Sequence, residues 1–113
     1  MEPDESQIPA LEATGGQNGE LVGLTGTITD EQRYALALAA GFTGSEAINA
    51  VAISIAEDSN GDPSRRHENK DTNGNVTSTD LGLWQINSVH WARFNGEGAL
   101  IDPLNNAKAA YAI

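Results

Sequence analysis

From Asp58 to Thr79 the chain offers almost nothing to bury: Asp, Ser, Asn, Gly, Thr, Arg and Lys dominate, and Val76 is the single aliphatic side chain. So polar a stretch cannot build a core. It must run as loop or as a small exposed sheet, and the core has to come from the segments that flank it. Within it, Asn73-Gly74 is a strong two-residue hairpin signal, although its flanks are more polar than a typical strand. A chain of 113 residues has room for one small domain.

The apolar material sits on both sides. Order is expected to begin at Thr29, which with Gln32 three residues on has the form of a capping box. Tyr34, Leu36, Ala37, Leu38 and Ala40 continue a helix that Gly41 can stop. A second helix is predicted from about Ser45 to Glu57, with Ala47, Ile48, Val51, Ala52, Ile55 and Ala56 as its broad buried face. After the polar stretch comes a short apolar run, Leu81 to Ile86. Asp102 as N-cap and Pro103 in the first turn then open a last helix, with Ala107, Ala110 and Tyr111 facing inward. That helix is written for only two or three turns and lacks a C-cap, so the pattern reads as a domain whose C-terminal part is missing.

Residues 1–28 are rich in Gly, Glu, Pro and Ser and carry five acids with no Lys or Arg. They read as an acidic flexible tail or linker, with room for one short strand in 21–28, ahead of a domain spanning 29–113. The net charge is −10, which makes nucleic acid an unfavourable partner, because phosphate binding needs clustered bases. The one basic cluster, Arg65, Arg66 and Lys70 around His67, reads as a solvated loop, with an anionic ligand as the alternative. There is no cysteine, so core packing and not disulfides must hold the fold. No apolar run approaches the roughly 18 residues of a membrane helix, and no membrane insertion is expected. The Met1-Glu2-Pro3-Asp4-Glu5 start has neither basic nor apolar signal character.

Glu57 is the first residue with chemical promise. It ends an apolar helix beside Asp58, where the helix dipole disfavours negative charge. Desolvation against the apolar face, the dipole and the neighbouring carboxylate would all act to keep it protonated, the state needed to donate a proton to a glycosidic oxygen. Asp71, Asn73, Asn75 and Thr77 alternate oxygen ligands as a calcium loop does. The required glycine and glutamate positions are occupied by Val76 and Gly82, so a hairpin with Asx-turns is the better reading and no metal is expected.

Residues 78–88 read Ser-Thr-Asp-Leu-Gly-Leu-Trp-Gln-Ile-Asn-Ser. This closely resembles the active-site segment of the c-type lysozymes, and its Gly-Leu-x-Gln-Ile part is similar to soluble lytic transglycosylases and phage cell-wall lysins. Asp102-Pro103 with Asn106-Ala107 and Ala110-Tyr111 resembles the helix that follows in the bacterial and phage relatives. The resemblance covers roughly residues 29–113. It implies an α+β, lysozyme-like fold with a helical lobe and a small β-hairpin lobe, and cleavage of the bond between N-acetylmuramic acid and N-acetylglucosamine without a cofactor. By the same resemblance Glu57 is the general acid and Asp80 the second carboxylate, an arrangement for which lysozyme is the type case. Gln85 and Asn87 match cleft positions that hold an N-acetyl group, and Trp91, with His90 beside it, matches a region where rings stack on sugars. Core packing is the alternative for Trp91, and the more natural role for Trp84.

The departures are informative. Glu57 and Asp80 are 23 positions apart, farther than in c-type lysozymes, and the chain is acidic and cysteine-free. These point to the bacterial or phage branch, many of whose members lack a second carboxylate and use the substrate's own N-acetyl group to form a 1,6-anhydro product. A phage lysin, a tail-associated virion module or a secreted wall hydrolase would each fit, acting on peptidoglycan strands outside the cytoplasm. The competing expectation is a non-catalytic glycan-binding or structural module of a larger polypeptide or assembly.

Overall fold

The computed structural model describes Leu21, Leu24 and residues 26–113. Five elements make the frame in chain order: α1 (Asp30–Ala40), α2 (Gly44–Glu57), β1 (Arg66–Lys70), β2 (Val76–Leu81) and β3 (Ile86–Asn87). A 3₁₀ segment (Ser88–Phe94), the single-turn α3 (Glu97–Leu100) and α4 (Pro103–Ala112) complete it. The result is α+β, with helices in one lobe and a three-stranded antiparallel sheet of order β1-β2-β3 in the other.

Local chemistry sets the helix ends. Thr29 Oγ1 accepts from the Gln32 amide at 3.1 Å while Gln32 Oε1 accepts from the Thr29 amide at 2.9 Å, which satisfies two orphan donors at once. Gly41, at φ 124°, closes α1 by donating to the Ala37 and Leu38 carbonyls. Asp102 caps α4 by accepting from the Asn105 amide, with Pro103 in the first turn.

The inward face of α2 differs from the sequence expectation. Ala47 is buried and Ile48 and Val51 half-buried, but Ala52, Ile55 and Ala56 are exposed; the other buried positions are Ala50 and Ser54, followed by Asp58 just past the helix. A helix stripe rotates about 100° per residue, so a stripe through 47, 50 and 54 leaves 52, 55 and 56 outside. Burial of Ser54 and Asp58 is possible because both find polar partners inside the protein. The last helix is also rotated from expectation: Leu104, Asn106, Ala107 and Ala109 are buried, Ala110 is half-buried, and Tyr111 is exposed on one side. The Tyr111 ring still meets Phe42 edge-on, with ring centroids 5.0 Å apart.

The polar stretch folds as expected into a hairpin, but its strands are joined by the five residues 71–75 and not by Asn73-Gly74 alone. β1 and β2 pair antiparallel, with a register shift between Asn69 and Lys70 near the turn. Asp71 Oδ1 accepts from the Asn73 and Asn75 amides at 2.8 and 3.0 Å, and Gly74 takes φ 84°. Arg66, His67 and Lys70 lie on strand β1 and not in a loop; their charges keep this edge of the sheet in water.

The core joins α1, α2 and α4 to Leu81, Leu83, Trp84 and Ile86. Leu21 and Ile28, which the sequence assigns to the tail, are buried in it, and the Ile28 amide donates to the Gly61 carbonyl at 2.8 Å. Most of the expected tail, 1–20, lies outside the described residues, as does much of the short strand expected in 21–28. Among the described residues no helix is long and apolar enough to cross a membrane.

Candidate active site

The apolar run after β2 does not continue as strand. Gly82 to Gln85 form a tight turn in which Gly82 takes φ 83° and the Gln85 amide donates to the Gly82 carbonyl at 3.0 Å. Gln85 itself sits at φ 49°, an uncommon conformation for a side chain with Cβ, and such positions concentrate at functional sites. Asn106 of α4 holds the turn from within. Its Oδ1 accepts from the Trp84 amide at 2.8 Å, and its Nδ2 donates to the Leu81 and Leu100 carbonyls at 2.8 and 3.0 Å. Trp84 is buried, with its indole N–H donating to the Ala50 carbonyl on α2 at 2.9 Å. The turn is thus fastened to two helices.

A groove of about 500 Å³ opens beside this turn. Its α2 wall carries Glu46, Asn49, Ala50 and Ile53; the facing wall carries Gln85, Asn87 and His90, with Trp84 between them. Three of the sequence-selected residues therefore meet here: Gln85, Asn87 and His90. Glu46 and Asn49, which the sequence reading passed over, join them. They belong to a helix whose polar residues look merely solvated until the turn packs across it.

Neither Asp80 nor Glu57 is among the residues that line the groove. Asp80 is half-buried on β2, directly opposite Asn87 in the antiparallel register. Its Oδ1 accepts from Asn87 Nδ2 at 2.8 Å and its Oδ2 from Asn69 Nδ2 at 3.0 Å, so both carboxylate oxygens are oriented by amide donors. Asn87 both lines the groove and donates to Asp80, while its Oδ1 caps the 3₁₀ segment by accepting from the Val89 amide. Glu57 is the last residue of α2 and is exposed. Glu46, Ala50, Ile53 and Glu57 are spaced four, three and four residues apart, one stripe of the helix, so Glu57 continues the face that lines the groove.

The burial expected for Glu57 falls on its neighbour. Asp58 is 1% exposed, and burial pushes its carboxyl up against the opposing pull of the Asp62 amide and the Arg33 guanidinium. Trp91 is half-buried and outside the groove; its indole N–H donates to the Ile86 carbonyl at 2.9 Å, and the Arg66 guanidinium, paired with Glu97, lies 5.9 Å from its ring centre. Among the described residues no three His, Cys, Asp or Glu side chains converge as a metal ion would need.

Neither the curated proteins nor the solved structures contain a match to this chain. A family match does exist, to the lysozyme-like domain, over residues 34–113, which takes in every element from within α1 to the end of α4. The chain belongs to the lysozyme-like domain family, a family of glycosidases and transglycosylases that act on peptidoglycan.

Proposed function

We propose that this protein cleaves the glycan strands of peptidoglycan between N-acetylmuramic acid and N-acetylglucosamine. Glu57 protonates the leaving oxygen, and Asp80, or the acetamido group of the substrate, stabilises the oxocarbenium-like transition state. The observation that carries this reading is the direct pairing of Asp80 with Asn87. It joins a carboxylate held by two amides to a groove whose opposite wall is the helix stripe ending in Glu57. Gln85, Asn87 and His90 offer polar groups to an N-acetyl substituent, and Ile53, Phe42 and the exposed edge of the groove offer apolar surface to sugar faces.

Exchanging Glu57→Gln keeps the shape of the side chain and removes its proton. Soluble glycan release from purified peptidoglycan should fall by about a hundredfold or more, the scale of general acid catalysis, while binding of glycan oligomers persists. Equal release from both proteins overturns the assignment.

A second reading, a non-catalytic glycan-binding module, is favoured by one specific observation: neither Glu57 nor Asp80 lines the groove, whose polar residues are Glu46, Asn49, Gln85, Asn87 and His90. That reading requires glycan binding by the unaltered protein with no bond cleavage.

A further inference from the structure

The arginine of α1 is buried. Arg33 is 1% exposed; the exposed Asp30 pairs with its Nε at 3.7 Å, and the buried Asp58 carboxyl feels its charge. Its guanidinium is spent on the end of α2: Nη1 donates to Ser54 Oγ at 2.5 Å and Nη2 to the Asp58 carbonyl at 2.6 Å. Ser54, fully buried, in turn donates its hydroxyl to the Leu83 carbonyl at 2.8 Å. A buried guanidinium carries a large desolvation cost, and an apolar side chain of similar volume would fill the space without it. What the network supplies is geometry.

Ser54 lies three residues before Glu57 and Asp58 one residue after it, so the last turn of α2 is gripped on both sides of the proposed acid. Helix ends fray when their carbonyls lack partners, and here the C-cap carbonyl accepts from both Arg33 Nη2 and the Gly61 amide. Leu83 lies two residues before Gln85, inside the turn that lines the groove. One chain of three hydrogen bonds therefore fixes the helix end bearing Glu57 relative to the turn bearing Gln85.

We propose that Arg33 and Ser54 are positioning residues for glycan cleavage, holding Glu57 at its working distance from the bond. The inference rests on the reading of Glu57 as the acid. Misplacing a catalytic group by about an ångström can cost a hundredfold in rate, whereas none of the side chains lining the groove takes part in the network's hydrogen bonds.

Ser54→Ala removes the shared hydroxyl, and Ser54→Cys keeps a weak donor and acceptor in nearly the same volume. In the full chain, kcat for peptidoglycan cleavage should fall roughly tenfold to a hundredfold in Ser54→Ala and by less in Ser54→Cys, with KM and the dissociation constant for glycan oligomers within about twofold of the unaltered protein. A folded Ser54→Ala with unchanged kcat overturns the proposal, as does a loss lying wholly in KM. Should the alanine variant fail to fold, Arg33→Met, which removes the donors to Ser54 and to the Asp58 carbonyl, takes its place, and a folded Arg33→Met protein with unaltered kcat overturns the proposal equally. Glu57→Gln is measured alongside. If it loses activity while the Ser54 variants do not, only the positioning role fails; if it retains activity, the acid assignment itself fails.

Discussion

Gly82 and Asn106 meet where the sheet turns back towards the helices. A Cβ on Gly82 would lie 2.8 Å from Asn106 Cγ and closer still to its Nδ2, at a backbone φ of 83° that side chains avoid. Asn106→Ala would strand the Trp84 amide and the Leu81 and Leu100 carbonyls in the interior. At about 1–3 kcal/mol for each buried orphan, the loss should be at least about 3 kcal/mol. For a domain this size that lowers the thermal midpoint by roughly 10 °C or more, readable by circular dichroism. A shift of only a degree or two would mean that the amide is not holding the turn. Little of this was legible in the sequence, because the partners of Asn106 lie up to 25 positions away and are joined only by the fold. The same holds for Ser54 and Asp58. They look like surface residues on a helix until the Arg33 side chain reaches across and makes their burial tolerable.

Elements were legible where their signals are local. The Thr29–Gln32 box, the stop at Gly41 and the Asp102-Pro103 start each depend on residues within a turn of one another, and each forms; the hairpin forms too, but through the five residues 71–75 and not as a two-residue Asn73-Gly74 turn. The facing of α2 was not, since Ala52, Ile55 and Ala56 are apolar enough to be buried and only tertiary packing decides that they are not. The 3₁₀ segment also gave no periodic signal; it starts because Asn87 caps it. The hairpin turn has a built-in pH dependence. The amide of Asn75, then that of Asn73, holds the exposed Asp71 carboxyl below its ordinary value of 3.8. A carboxyl depressed in the folded state contributes stability above its unfolded pKa and loses it as pH falls through the lower folded value. Replacing Asp71→Ala should therefore loosen the turn at neutral pH, seen as faster amide exchange at Asn75, with the difference from the unaltered protein vanishing below that folded value. A difference that persists unchanged into strong acid would show that the carboxylate charge is not what holds the amides.

At the scale of the whole molecule, the sheet lobe contributes charge and amides while the helical lobe contributes the core, and the groove lies where the two meet. The candidate site was legible in part. Gln85, Asn87 and His90 do converge, and Asp80 joins them through Asn87, because the 78–88 segment is short enough for its own turn to set their spacing and the 3₁₀ segment that follows brings in His90. Glu46 and Asn49 could be found only once α2 was packed against that turn. The net charge of −10 gives no long-range attraction to an anionic wall, so the proposed glycan binding would rest on contacts inside the groove. The most direct test of the account is mass spectrometry of purified peptidoglycan after incubation with the protein. Soluble muropeptides ending at N-acetylmuramic acid are expected, with reducing ends if water attacks C1 of the cleaved sugar and 1,6-anhydro ends if that sugar's own C6 hydroxyl does. No released muropeptides from folded protein that binds glycan would contradict the account.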